Sequence, residues 1–375
     1  MNTPEFSPLQ SEIKKLIKSS GAMPVWRYME LCLMHPEHGY YVSRDPLGRE
    51  GDFTTSPEVS QMFGELIGLW AAAVWNSMGS PPMLRLVELG PGRGTMMGDA
   101  LRALRVLPPL YQSLSVHLVE INPMLREKQK STLSGVRNIS WHDHIDEVPE
   151  GPAIILANEY FDVLPIHQAV RQQNGWHERV VDIDATGKLV FAAAAEPIPR
   201  FEVLVPPLVR AAPVGAVFEW RPDSEMMKIA TRVRDQDGAA LIIDYGHLRS
   251  DAGDTFQAIA RHSFTDPLKA PGQADVTAHV DFQALARAAE DLGARVHGPV
   301  TQGDFLKRLG IEQRAATLMA KTPSHEVSAE IDGALKRLTG GGRGGMGSMF
   351  KVLGVSEPHI EELPGLSDAS QPDNK

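Results

Sequence analysis

The segment VELGPGRGT, residues 87–95, constrains this chain more than any other. The apolar run LRLVELG closes on glycine, turns through two more glycines and enters a helical pattern over 95–107. It therefore reads as a buried strand, a tight turn and a helix. The alternation then repeats. VHLVEI (116–121) precedes a helix from Pro123 to Leu133, a third strand lies near Ile139 to Trp141, and AIILANE (153–159) and ALIIDYG (239–246) are further buried strands. Strands alternating with helices predict an α/β fold, a Rossmann-like parallel sheet covered on both faces.

The spacing of the glycines narrows the ligand. Gly90, Gly92 and Gly94 form GxGxG, not the GxGxxG of dinucleotide enzymes, and no Gly-Lys-Ser/Thr of a phosphate loop follows. An acid, Glu88, precedes the loop. A carboxylate there suits a cofactor with a cationic amino acid part, and S-adenosylmethionine carries an ammonium and a sulfonium but no phosphate. Glu120 ends the next strand, where a carboxylate can accept both hydroxyls of a ribose. The interval from Gly94 to Glu120 is longer than in dinucleotide folds, and Pro108 and Pro109 absorb the excess. Asp143, in HDHIDEVP, is placed to accept from an adenine amino group. The bland alternative is a tight turn, a solvent-facing Glu and a polar loop.

Around this core the chain carries additions. Residues 8–35 predict two short helices joined at Gly21 and Pro24, and EVSQMFGELIGLWAAAVWNSM (58–78) a third. HQAVRQ, WHERVVDID and KLVFAAAA, separated by NG and TG turn signals, predict an antiparallel meander inserted in the core. FQALARAAEDLG is a helix ended by Gly293, residues 302–338 are helical, and GSMFKVLGV (347–355) is a last strand. The expected organisation is an N-terminal helical extension over 1–80 packing on the cofactor site, a core over 81–355 with insertions near 166–238 and 247–345, and a disordered tail over 356–375. The glycine-rich stretch TGGGRGGMGSM (339–349) reads as a mobile loop, with self-methylation of its RGG-like element as an alternative.

Charge and composition exclude some functions. A net charge of −10 argues against a sequence-independent grip on nucleic acid. No apolar run approaches the roughly 18–20 residues that span a bilayer. The single cysteine, Cys32, supports neither an internal disulfide nor a Cys-rich zinc site. MNTPEFSPLQSEIKK has no apolar core, and Glu5 and Glu12 spoil it as a transit sequence. A bacterial cytoplasm is the expected location and the mitochondrial matrix the alternative. His35 and His38 lack a metal-binding pattern and read as partners of the loop before Tyr40.

HPEHGYY (35–41), GDFTTSPEVSQMFGE (51–65), VELGPGRGT, ANEYFDVLPI (157–166), ADVTAHVDF (274–282) and MGSMFKVL (346–353) together resemble the MidA-type methyltransferases. The likeness covers most of residues 8–355. It implies a class I S-adenosylmethionine-dependent methyltransferase core with an antiparallel last strand. It also implies methylation of a protein arginine, by symmetric dimethylation of a core subunit of respiratory complex I in support of its assembly.

On that resemblance, Glu159, Asp162 and Asn158 are the catalytic candidates. They leave the fourth strand at the carboxyl end of the sheet, where ligands of such folds sit. A guanidinium is always charged and presents donors matched to carboxylates, so paired acids can hold it and align one nitrogen. Thr55, Ser56 and Gln61 are candidates for the cofactor. Asp52, Glu58, Asp244, Asp275 and His279 are candidates for the substrate, although Thr55 to Glu58 and Asp281 also fit simple helix starts. Three other functions compete: a small-molecule methyltransferase, an assembly chaperone that binds the cofactor without catalysis, and a dehydrogenase, which the glycine spacing disfavours. The oligomeric state is left open.

Overall fold

A computed structural model describes residues 7–43, 55–260, 263–321, 324–342 and 344–366. Asp52 lies outside the described residues. The chain divides into two compact units, one of residues 1–53, 162–222 and 249–281, the other of 54–161, 223–248 and 282–375.

The second unit holds the predicted sheet. Its strands are β1 (Leu84–Leu89), β2 (Leu114–Val119), β3 (Ile139–His142), β4 (Ala153–Asn158), β5 (Gly238–His247), β6 (Arg295–Thr301) and β7 (Phe350–Ser356). They lie in the order β6-β7-β5-β4-β1-β2-β3. The pairs β1–β2, β1–β4, β2–β3 and β4–β5 are parallel, and β7 runs antiparallel to both β5 and β6. This is the Rossmann-like class I arrangement expected from the alternation, with the expected antiparallel strand. β4 is buried at every position, which explains its uninterrupted apolar run. The core joins these strands to Phe63, Leu66, Ile67 and Trp70 of the helix Gln61–Ser77 and to Phe305, Leu306, Ile311 and Leu338 of the late helices.

The first unit is built on the meander. His167–Gln172, Gly175–Ile183 and Leu189–Pro197 pair antiparallel in sequence order, and Met23–Pro24 and Val217–Trp220 extend the sheet. Both turn signals are used. Gln172 pairs with Gly175 across the NG turn. In the TG turn, Asp184 Oδ1 accepts from the amides of Thr186 and Lys188. A second sheet joins Gln257–Ala260, Ser263–Thr265 and Asp275–Thr277. The helices Pro8–Ser20 and Val25–Met34 supply Leu9, Ile13, Tyr28, Met29 and Cys32 to this unit's core.

Three boundaries differ from the sequence expectation. Residues 1–80 do not form one extension, because Pro8–Ser20 and Val25–Met34 belong to the meander unit while Gln61–Ser77 belongs to the sheet unit. The tail is packed as far as it is described, since Ile360, Leu363 and Leu366 join the sheet unit's core. The glycine-rich stretch is likewise packed, with Gly347 N–H donating to Gly340 and Gly303 N–H donating to Gly347, each at 2.9 Å.

Candidate functional site

In the sheet unit, chain connectivity reverses at β1, which has β2 on one side and β4 on the other. Doubly wound sheets open a crevice at the carboxyl end of the strand where that happens. The glycine loop lies there. Gly90, Gly92 and Gly94 have φ of +60°, +54° and +79°, in the left-handed region that an L side chain rarely adopts. A Cβ on Gly90 would lie 3.0 Å from the ring of Tyr160. Gly94 then caps the helix Thr95–Leu104.

Near the carboxyl ends of β1 and β4, two buried acceptors, Glu88 Oε2 and Asn158 Oδ1, have no hydrogen-bond partner. Burial pushes the Glu88 carboxyl up to about 8. A buried carboxyl with an idle oxygen is costly unless a donor or a cation meets it. The residues present thus fit S-adenosylmethionine, whose ammonium and hydroxyls are donors and whose close approach a loop with glycine at three of its five positions admits.

Glu120, just past β2, is buried, and burial raises its carboxyl above the usual range. Its Oε1 accepts from Asn122 N–H at 2.8 Å and its Oε2 from Gln129 Nε2 at 3.3 Å. The Ile121 N–H is a third donor to it, so of the about four acceptor positions of a carboxylate one is left for a hydroxyl. Gln129 binds several parts of the site together: its Nε2 also donates to Gly92 O at 2.7 Å, and its Oε1 accepts from Trp141 Nε1 at 2.8 Å. Sequence reasoning missed Gln129 because its helix, Pro123–Thr132, reads as an ordinary polar one. It also missed Tyr160, and Ile121 and Met124, which stand exposed beside Glu120 as apolar surface. Their signal was adjacency to the chosen acids. Asp143 is exposed and pairs with Arg126 at 2.6 Å, so its carboxylate already serves a surface ion pair.

Glu159 follows β4 with φ +51°, a conformation that costs a non-glycine residue on the order of 1–3 kcal/mol. Its N–H donates to Ile243 O at 2.9 Å, and its Oε1 accepts from Ser56 N–H at 3.0 Å and from Asn158 Nδ2 at 3.2 Å. Asn158, Glu159 and Ser56 are therefore brought together. Glu58 accepts from Thr95 Oγ1 at 2.6 Å, which ties it to the helix after the glycine loop. Thr55 caps the short helix Ser56–Val59 without a side-chain bond, and Gln61 is exposed at the start of the next. Asp244 is fully buried; its Oδ2 accepts from Phe161 N–H at 3.0 Å and its Oδ1 from Tyr245 N–H at 2.9 Å. These bonds give Asp244 a backbone-holding task that its place in IIDYG did not reveal.

The other candidates belong to the meander unit. Asp275 is buried and its Oδ2 accepts from Tyr41 OH at 3.1 Å. The Tyr41 phenol is held well above its usual value, first by burial and then by Asp275 and Asp162. Asp162 is buried, and its carbonyl accepts from Ala278 N–H and from Arg221. His279 donates its N–H to Thr255 Oγ1 at 2.9 Å. His35 Nδ1 accepts from the amides of Glu37 and His38, as expected for a partner of that loop.

A family model of S-adenosyl-L-methionine-dependent methyltransferases matches residues 66–300. The mitochondrial protein arginine methyltransferase NDUFAF7 homolog of Drosophila melanogaster is 37% identical over 95% of this chain and 87% of its own length. The Homo sapiens protein arginine methyltransferase NDUFAF7 is 38% identical over 88% of this chain and 80% of its own. A crystal structure of a COG1565 superfamily member from Burkholderia thailandensis bound to S-adenosyl-homocysteine superposes with a TM-score of 0.78. It is 28% identical and covers 96% of this chain and 93% of its own.

Proposed function

The chain belongs to the MidA-type family of S-adenosyl-L-methionine-dependent methyltransferases, and we propose that within it this enzyme methylates an arginine side chain of a protein. Curated relatives matching over nearly the whole chain are named protein arginine methyltransferases, which supports a protein acceptor. The observation that carries the reading is the Glu159 carboxylate, held at the carboxyl end of β4 by Ser56 and Asn158. An arginine remains charged at any working pH and meets a fixed carboxylate through two or more donors. The transfer is an in-line displacement, so holding the guanidinium supplies much of the rate.

In this proposal Glu159 binds the guanidinium, Asp162 assists and Asn158 stands near the cofactor. Glu88, Gly90, Gly92, Gly94, Glu120 and Asp143 hold S-adenosylmethionine, with Thr55, Ser56 and Gln61 beside them. Asp52, Glu58, Asp244, Asp275 and His279 are assigned to the substrate protein. The finer assignment is symmetric dimethylation of a core subunit of respiratory complex I, supporting its assembly. The mitochondrial names of the relatives favour the matrix over the cytoplasm.

The test is to incubate the enzyme and methyl-labelled S-adenosylmethionine with complex I from cells lacking it, then hydrolyse the protein. Label in symmetric dimethylarginine of a core subunit is the expected result. Label confined to small molecules would overturn the proposal in favour of a small-molecule acceptor.

A further inference from the structure

The helix Pro123–Thr132 buries Leu125 and Gln129 and lies close against the glycine loop. A Cβ on Gly94 would stand 3.6 Å from both Cα and Cγ of Gln129. Gln129 is fully buried, so both ends of its amide need partners. Its Nε2 donates to Gly92 O and to Glu120 Oε2, and its Oε1 accepts from Trp141 Nε1. Only one orientation of the amide meets this set. A carbonyl and a carboxylate accept, whereas an indole N–H donates and has nothing to accept with. A flipped amide would set its oxygen against two acceptors and its N–H against the indole N–H.

Trp141 is itself fixed. It lies on β3 beside Leu118 of β2, packs against the sheet unit's core and has the Lys130 ammonium 5.8 Å from its ring centroid. Backbone donors at Ile121 and Asn122 tie the Glu120 carboxylate to its own turn, and Gln129 ties it to the glycine loop. We propose that Trp141 and Gln129 are positioning residues that set the specificity of the cofactor site: the indole locks the amide, and the amide holds the Glu120 carboxylate where it meets a ribose hydroxyl. The inference rests on the reading in which Glu120 binds the ribose. A site built around a held acceptor rejects a ligand that lacks the matching hydroxyl, because the acceptor is then buried without a donor. In a buried chain of this kind a lost link loosens the next, so a change at Trp141 is felt at Glu120.

The test compares S-adenosyl-homocysteine with its 2′,3′-dideoxy analogue by titration calorimetry. The wild type should prefer the hydroxylated ligand by at least about tenfold, the worth of one hydrogen bond to a charged group. Trp141→Phe keeps an aromatic ring and removes the N–H, and Gln129→Met keeps the length and removes the amide. Each should cut the preference to less than about threefold, chiefly by weakening the hydroxylated ligand. Trp141→Phe, at a partly exposed position, serves if Gln129→Met does not fold. A merely structural role would weaken both ligands equally, and that result, or an unchanged preference in both variants, would overturn the inference. Glu120→Gln separates the reading beneath it. That variant should lose the preference; if it keeps the wild-type preference, Glu120 does not bind the ribose and the reading fails instead.

Discussion

Glu88 shows what a single residue contributes at this site and at what cost. Its carboxyl stands at about 8 in the folded chain against 4.5 when exposed. Below 4.5 both states hold the proton and the contribution is full. As pH rises from 4.5 to about 8 the unfolded chain ionises and the folded one does not, so stability falls across that window. Glu88→Gln removes the effect. In calorimetry without cofactor, the variant should melt above the wild type at pH 8, by a margin that shrinks towards pH 5, and it should bind S-adenosylmethionine more weakly. A margin independent of pH would contradict the account. Glu88, Glu120 and the three glycines are legible in the sequence because they are fixed by their place at strand ends. Gln129 and Tyr160 are not, because only the tertiary fold turns their side chains to the loop. Asp244 carries a task that its strand-end place does not show for the same reason: its carboxylate also accepts from the amides of Phe161 and Tyr245.

At the scale of elements, the strand–loop–helix unit admits a sharp test. Gly90→Val places a branched side chain at φ +60° and against Tyr160. Cofactor affinity should fall by at least about tenfold, the effect of roughly 1.4 kcal/mol of strain or clash, while the fold survives. Undiminished affinity by titration calorimetry would remove the loop from the site. The segment after β7 offers a second test. Ile360, Leu363 and Leu366 are each at most 4% exposed. Burying one such side chain stabilises by about 1.5–3 kcal/mol, so truncation after Glu357 should cost several kcal/mol in denaturant unfolding. A change within error would mean that this segment is dispensable. β1 to β5, β7 and the three strands of the meander are legible as apolar runs and turn signals, whereas Met23–Pro24, Val217–Trp220 and the sheet of Gln257–Ala260, Ser263–Thr265 and Asp275–Thr277 are not. The packed segment Ile360 to Leu366 is not, since three apolar residues among prolines, glycines and acids carry no period.

At the scale of the molecule, the parallel core and its antiparallel last strand follow from the alternation, but the partition does not. Residues 1–53 share a unit with 162–222 and 249–281, and no local pattern announces contacts over such separations. The net charge of −10 belongs to this scale too. A basic, arginine-presenting substrate is drawn to such a surface, so kcat/KM for it should fall as salt is raised. A salt-independent kcat/KM would argue against a cationic protein acceptor. The central claim is that the acid after β4 holds the guanidinium and not the cofactor. Glu159→Gln tests it directly, with cofactor affinity by calorimetry and methyl transfer by single turnover. A charge-assisted hydrogen bond is worth roughly 1.5–3 kcal/mol, so transfer should slow by about 10- to 150-fold with cofactor affinity held within a few-fold. Loss of cofactor binding, or transfer at the wild-type rate, would contradict the account.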